Sequence, residues 1–181
     1  MVLKFITYLI LVVVLMSINE WCVHKFIMHN SKLSLGYSHI AHHKETNYDM
    51  SLKKNMNILD TDKHRGTAFC YKTSAYTFIV ALIQILTLWY IFFNKNYIIP
   101  VLLTVFISVY QGVVWNSVHT KMHGMPNVDY NIGYPSIIPS KYLSSKYLSF
   151  LEKNHIKHHR SKGTKYFNIT LPIADYIFGT Y

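Results

Sequence analysis

The chain has 181 residues, enough for one domain, and carries 51% hydrophobic residues, 18 Lys and Arg against 8 Asp and Glu, and 11 His. Two cysteines, Cys22 and Cys70, make no C-x-x-C pair and no disulfide framework, which favours a reducing compartment over a disulfide-stapled secreted fold. A formal charge of +10 admits nucleic acid, anionic lipid or the basic face of a membrane protein, so the placement of the charges has to decide.

Residues 5–19, FITYLILVVVLMSIN, follow Lys4 and carry no charge. The basic region before them is thin and no small-x-small cleavage site follows, so a retained anchor is expected rather than a signal peptide. The run is short for a span of about 20 residues, so Lys4 must snorkel or the helix must continue past Asn19. Residues 44–72 are polar and read as loop with room for short helix. Two further uncharged runs, 73–94 and 96–120, are separated only by the N-K-N at 94–96 and read as a helical hairpin with a tight polar turn. Pro100 falls in the first turn of the second of these, where its missing N–H costs nothing. The expectation is an all-α integral membrane bundle with spans over about 3–19, 74–93 and 97–116 and a single embedded domain.

Three spans leave residues 20–72 and 117–181 on one face. That face receives 16 of the 18 basic residues, all but Lys4 and Lys95, together with every acidic residue and every histidine. The positive-inside rule makes it cytoplasmic, and the charge then requires no nucleic acid. Beyond the third span, residues 124–139 are dense in turn formers and read as a connector. Leu143, Tyr147, Phe150 and Leu151 then recur at helical spacing opposite Ser144, Ser145, Ser149 and Glu152, an amphipathic helix suited to a membrane surface or to core packing. The N-I-T at 168–170 matches a glycosylation acceptor, but on a cytoplasmic face it should stay unmodified.

Ten of the eleven histidines fall into four groups: His24 and His29; His39, His42 and His43; His119 and His123; His155, His158 and His159. One H-x-x-H-H would arise by chance in about one chain in twenty-five of this length and histidine content, so two argue for a purpose. Positions i, i+3 and i+4 share a helix face, so each triplet can present three imidazoles from one turn, and His119 and His123 at i, i+4 can do the same. His24 and His29 are five apart and meet at one site only if the helix bends or the side chains reach differently. Neutral imidazole suits iron, zinc and copper, and ten suffice for two ions with about five ligands each, leaving room for a substrate oxygen. His64, in D-K-H-R with no partner at helical spacing, reads as solvated. Glu20, four before His24, and Asn116, three before His119, are placed to orient those rings. Glu45, Asp49, Asp129, Glu152 and Asp175 are less well placed and read as solvated charges. Lys25, Lys44, Lys121, Lys157 and Arg160 interleave with the histidines and suit phospholipid headgroups or an acidic electron donor.

The ordered set EWCVHKFIMH (20–29), HIAHH (39–43), HTKMHG (119–124) and HIKHH (155–159), with the tail FNITLPIADYIFGT (167–180), resembles the fatty acid hydroxylase superfamily of membrane oxygenases. The resemblance covers nearly the whole chain. It implies a non-haem di-iron centre held by the ten histidines of the four groups, with zinc able to occupy the site in purified protein. It also implies hydroxylation of a fatty acyl, sphingolipid or sterol C–H bond with O₂ and two electrons. The implied location is the cytoplasmic face of a membrane, that of the endoplasmic reticulum in a eukaryote. No electron-carrier segment accompanies the motifs, so a cytochrome b5 or reductase donor is implied, and Asp175 matches a structural aspartate of the closing segment. A desaturase or carotenoid hydroxylase shares the chemistry. A zinc or copper protein without turnover is the alternative of a different class, and transport is disfavoured because the three runs hold no charge.

Overall fold

A computed structural model describes residues 2–51, 53, 68–125, 128, 131, 133–138 and 145–181. His64, Asp129, Leu143, Ser144 and most of the polar stretch 44–72 lie outside the described residues. Among the described residues the fold is all-helical, the one β feature being an isolated bridge between Cys70 and Gly133. In chain order it comprises α1 (Val2–Cys22), a π-helical turn (Val23–Met28), α2 (Ser34–Glu45), α3 (Tyr71–Phe92), α4 (Ile98–Met122), α5 (Lys146–Arg160) and α6 (Ile173–Ile177).

Three helices are long and apolar enough to cross a membrane: Val2–Met28, Tyr71–Phe92 and Ile98–Met122, with mean hydropathies of 2.2, 1.9 and 2.0. Each exceeds the roughly 20 residues that a hydrocarbon core of about 30 Å demands. The first outruns its uncharged stretch and the other two are shifted from theirs by two residues, because a helix ends where its backbone hydrogen bonds end and not at the first charge. The first passes Asn19, as its short apolar run required. Their outer faces carry large apolar side chains with no protein neighbour to cover them, among them Ile83, Ile91, Leu102 and Phe106. Only a lipid solvent accommodates that much apolar surface.

The inner faces make a small core. Tyr8, Val12 and Met16 of α1 interlock with Ala81, Ile85 and Trp89 of α3, and Leu103 and Ile107 of α4 close over them. Tyr8 and Trp89 meet edge to face at 5.1 Å. Asn94 and Asn96 both take positive φ in the turn between α3 and α4, which asparagine tolerates better than other side-chain-bearing residues. That turn marks one end of the bundle, and α2, α5 and α6 gather at the opposite end.

The gathered end is stitched to α1 by buried polar groups. The Glu20 carboxylate accepts hydrogen bonds from the Ile169 N–H (2.6 Å), the Thr170 N–H (2.8 Å) and the Thr170 hydroxyl (2.6 Å). Asp175 accepts from the Phe167 and Asn168 N–H groups at 2.9 and 2.8 Å and from the Thr180 hydroxyl at 2.7 Å, so it is a structural brace for the C-terminal segment. Asn168 is buried, and its amide donates to the Ser17 carbonyl at 2.8 Å, which leaves the N-I-T asparagine no room for a glycan. The amphipathic pattern after residue 143 lies on α5, the helix that also carries the second histidine triplet. Ser145 caps it by accepting from the Leu148 N–H, Leu151 faces inward, and the Tyr147 hydroxyl donates to the Thr170 carbonyl at 2.6 Å. Leu151 of its apolar face therefore packs against the protein, while Tyr147 stays exposed.

Candidate metal centre

All ten grouped histidines converge at the end of the bundle where α1 and α4 finish. They form two sets: His24, His29, His39, His43 and His158; and His42, His119, His123, His155 and His159, with the ligand atoms of each set within 4.8 Å of one another. His24 and His29 come from the π turn. There the His29 N–H reaches the His24 carbonyl five residues back, at 3.2 Å, so the widened turn brings i and i+5 onto one face. The five-residue spacing thus has its own helical form, and bending is unnecessary.

The two triplets do not each serve one ion, as three imidazoles on one face would suggest. On α2, His39 and His43 point to the first set while His42 points to the second. On α5 the allotment reverses: His155 and His159 join the second set and His158 the first. The i, i+4 pair of each helix stays together, and the i+3 ring, about 60° short of it around the helix, falls to the neighbouring set. His43 and His159, one from each set, stack at 4.1 Å between ring centroids, so the two sets share a wall.

Tautomers follow from the backbone. The Nδ1 of His24 bonds the Phe167 carbonyl, that of His158 the Lys165 carbonyl (2.6 Å) and that of His123 the Met50 carbonyl (3.0 Å). A carbonyl only accepts, so each Nδ1 carries the proton and each Nε2 presents a bare lone pair. Those lone pairs face other ring nitrogens: His24 Nε2 lies 3.0 Å from His39 Nε2, His158 Nε2 lies 3.2 Å from both His29 Nε2 and His43 Nε2, and His123 Nε2 lies 3.0 Å from His155 Nε2. His39 to His43 and His155 to His159 are 3.0 and 3.1 Å. The Nε2 of His42 is fully buried and, among the described residues, has no hydrogen-bond partner. Crowded lone pairs in a buried pocket repel unless a cation sits among them.

The donor set fits a transition metal. Two nitrogens about 2.1 Å from one ion are about 3.0 Å apart at a right angle and about 3.4 Å apart at the tetrahedral angle. The spacings of 3.0–3.2 Å match the right angle, the arrangement of a six-coordinate ion with five protein ligands. Burial keeps the rings neutral, as metal ligation requires: it lowers His29 and His123 to about 4, His158 to about 3 and, with help from neighbouring imidazoles, His159 to about 2. His42, His43 and His155 are lowered for the same reasons.

Two expected orienting groups act elsewhere. Glu20 is saturated by Ile169 and Thr170 and does not touch the His24 ring, whose Nδ1 is held by a carbonyl instead. Asn116 holds the strands of connector beside α4, accepting from the Phe69 N–H at 2.6 Å and donating to the Phe69 and Tyr134 carbonyls at 3.1 and 2.7 Å. Lys25, Lys157 and Arg160 lie over the rings of Trp21, Tyr166 and Tyr48, and the Lys121 ammonium donates to the Ile138 carbonyl. The residues missed from sequence are those that act through backbone or shape. Phe167 packs its ring against His24, His29 and His158. Trp115 touches one imidazole of each set, 6.0 Å from His24 and 5.2 Å from His119 between ring centroids. Gly163, at φ +70°, leaves the space that the His29 ring fills. Of these, only the glycine three residues beyond Arg160 carries a signal in the sequence, and it is a weak one. No family model, no curated protein and no solved structure matches this chain.

Proposed function

We propose that the protein is a membrane-bound non-haem di-iron oxygenase that hydroxylates a C–H bond of a lipid, using O₂ and two electrons from an external donor of cytochrome b5 or reductase type. The observation that carries this reading is the pair of five-imidazole sets, the ligand atoms of each within 4.8 Å of one another, at the foot of helices able to cross a membrane. The ordered histidine motifs, which resemble those of the fatty acid hydroxylase superfamily, point the same way. His24, His29, His39, His43 and His158 hold one iron, and His42, His119, His123, His155 and His159 hold the other. Bound there, the irons supply O₂ activation and removal of hydrogen from an unactivated carbon, chemistry beyond any side chain.

The chain's own residues do the rest. The carbonyls of Phe167, Lys165 and Met50 fix three rings with Nε2 inward, and Phe167 and Trp115 exclude water from the first set and from the membrane side. The excess of Lys and Arg on the histidine-bearing side supports a cytoplasmic placement, within reach of a soluble or membrane-tethered reductant. The test is expression in a host of defined lipid composition, with mass spectrometry of extracted lipids and metal analysis of the purified protein. Lipids gaining one oxygen, together with two irons per chain, support the reading. Lipids losing two hydrogens make it a desaturase of the same chemistry, and two tightly held ions with an unchanged lipid profile in the presence of a reductant overturn the oxygenase.

A further inference from the structure

The C-terminal segment does not stay at the level where the spanning helices end. Its Leu171 carbonyl accepts from the Ser17 hydroxyl, and the same hydroxyl oxygen accepts from the Ala174 N–H at 2.9 Å. Thr170 and Leu171 line one recess together with Val13 of α1 and with Phe106 and Tyr110 of α4. A span of about 20 residues that starts at Lys4 ends near residue 23, so Ser17 lies about six residues, or about 9 Å, below the lipid surface. One that starts at Ile98, beside the turn between α3 and α4, ends near residue 117, so Tyr110 lies about seven residues, or about 10 Å, below that surface. Two helices thus give residues 170–174 the same depth, inside the leaflet.

Irregular backbone survives at membrane depth only where protein satisfies its polar groups. Here Asp175 takes the Phe167 and Asn168 N–H groups, Glu20 those of Ile169 and Thr170, and Ser17 that of Ala174. The Asn168 side chain accepts from the Asp175 N–H at 3.2 Å, and the Thr170 carbonyl accepts from the Tyr147 hydroxyl. Two buried carboxylates, costly in any apolar setting, find their use in this backbone. The outward side changes character along the chain. Residues 152–165 carry six Lys, Arg or Glu side chains, all exposed, whereas 166–181 carry a single charged residue, Asp175, which is buried. What the last stretch exposes is Tyr176, Ile177 and Phe178. Phe178 lies 4.4 Å from Trp21 between ring centroids, so this patch continues the outer surface of α1, where Ile10 and Val13 are exposed.

We propose that residues 170–178 form a re-entrant wedge, immersed in the leaflet on the histidine-bearing side and covered by the acyl chains of bilayer phospholipid. Ser17, Glu20 and Asp175 hold its backbone, and Ile177 and Phe178 face lipid. The hydropathy pattern leaves all of 117–181 outside the bilayer; the wedge is a fourth immersed element, too short to register as a span. Its placement needs neither metal nor turnover and stands apart from the oxygenase reading.

The experiment is spin labelling of the whole chain in phosphatidylcholine vesicles, with Cys22→Ser and Cys70→Ser as background. Nitroxides on Ile177→Cys and Phe178→Cys are compared with Ile83→Cys, on the outer face of α3, and with Thr164→Cys, in the exposed turn after α5. Power saturation is read with O₂, which concentrates in lipid, and with a water-soluble nickel chelate. Labels at 177 and 178 should lose nickel collisions and gain oxygen collisions relative to 164, matching the label at 83, and helical circular dichroism shows that each variant is folded. Wild-type protein gives an independent reading, because phosphatidylcholine with a diazirine in its acyl chain should label the tryptic peptide 166–181. Nickel collisions at 177 and 178 equal to those at 164, or no adduct on that peptide, overturn the wedge. So does weak collision with both reagents, the mark of a surface covered by a second copy or a partner protein.

Discussion

The reversed allotment of the two triplets can be read out by metal counting. His42 and His43 are neighbours in sequence yet belong to different sets, whereas His42 and His159 come from different helices and belong to the same one. The double variant His42→Ala/His159→Ala removes two of five ligands from the second set and none from the first. Loss of an outer-shell partner alone weakens metal binding about 10–100-fold. Two lost ligands therefore cost the second site at least about 10²–10⁴-fold, or about 3–5.5 kcal/mol. His42→Ala/His43→Ala takes one ligand from each set, so both sites weaken by at least about 10–100-fold and neither is destroyed. Dialysis of detergent-solubilised protein against a graded series of buffered metal, followed by elemental analysis, separates the two. The first variant should titrate in two widely spaced steps, the tighter close to wild type and no stronger than it. The second should show no wild-type step. If both variants retain one site of wild-type affinity, or if the two curves coincide, the allotment read from the ring positions is wrong.

Three further outcomes are expected. Gly163→Ala strains a backbone at φ +70° and drives a methyl group into the His29 ring, so it should lower the melting temperature by an amount equivalent to at least about 1–2 kcal/mol and loosen the first ion; an unchanged melt would refute the contact. Glu20→Ala leaves the Ile169 and Thr170 N–H groups without their acceptor in a buried site, a loss of about 2–4 kcal/mol that should free the C-terminal segment to limited proteolysis, and continued protection would count against the brace. The metal-free protein should be acid-sensitive, with the sign fixed by burial: His123 is lowered from 6.5 to about 4, so between those values the unfolded chain binds a proton that the folded one refuses. Stability is then fully present above pH 6.5 and falls as pH drops toward 4, by about 3 kcal/mol for this nearly buried ring alone; a melting temperature that stays level from pH 7 to pH 5 contradicts it.

The sequence was most legible where a single physical requirement sets the pattern. Uninterrupted apolar runs can only be spans, and the spans Tyr71–Phe92 and Ile98–Met122 fall within a few residues of the uncharged stretches. The ten histidines also announced themselves, because clustering of that residue at helical spacings has little other use. What stayed hidden was decided by three-dimensional rotation. A helical wheel places His39, His42 and His43 on one face, but not on which side of a dividing wall each ring falls, and two histidine sets lying side by side split that face. The spacing of His24 and His29 looked awkward because a regular α-helix was assumed, and a single π turn resolves it. Glu20 looked like a ring-orienting carboxylate by its distance along the helix, yet two backbone N–H groups arriving from residues 169 and 170 occupy it, a partnership across 150 positions that no local pattern encodes. The groups that do orient the rings are carbonyls of Met50, Lys165 and Phe167, and a carbonyl looks the same whatever residue bears it.

The exchange of middle histidines between α2 and α5 also governs how the protein is built. Because each short helix donates to both pockets, neither pocket exists until both helices have docked, and docking for the sake of one ion leaves the other pocket complete. The first ion captured is thereby expected to act as a rivet that prepays the ordering of its neighbour's site, so that loading proceeds as nearly all or none, and half-filled molecules should be scarce at any metal concentration.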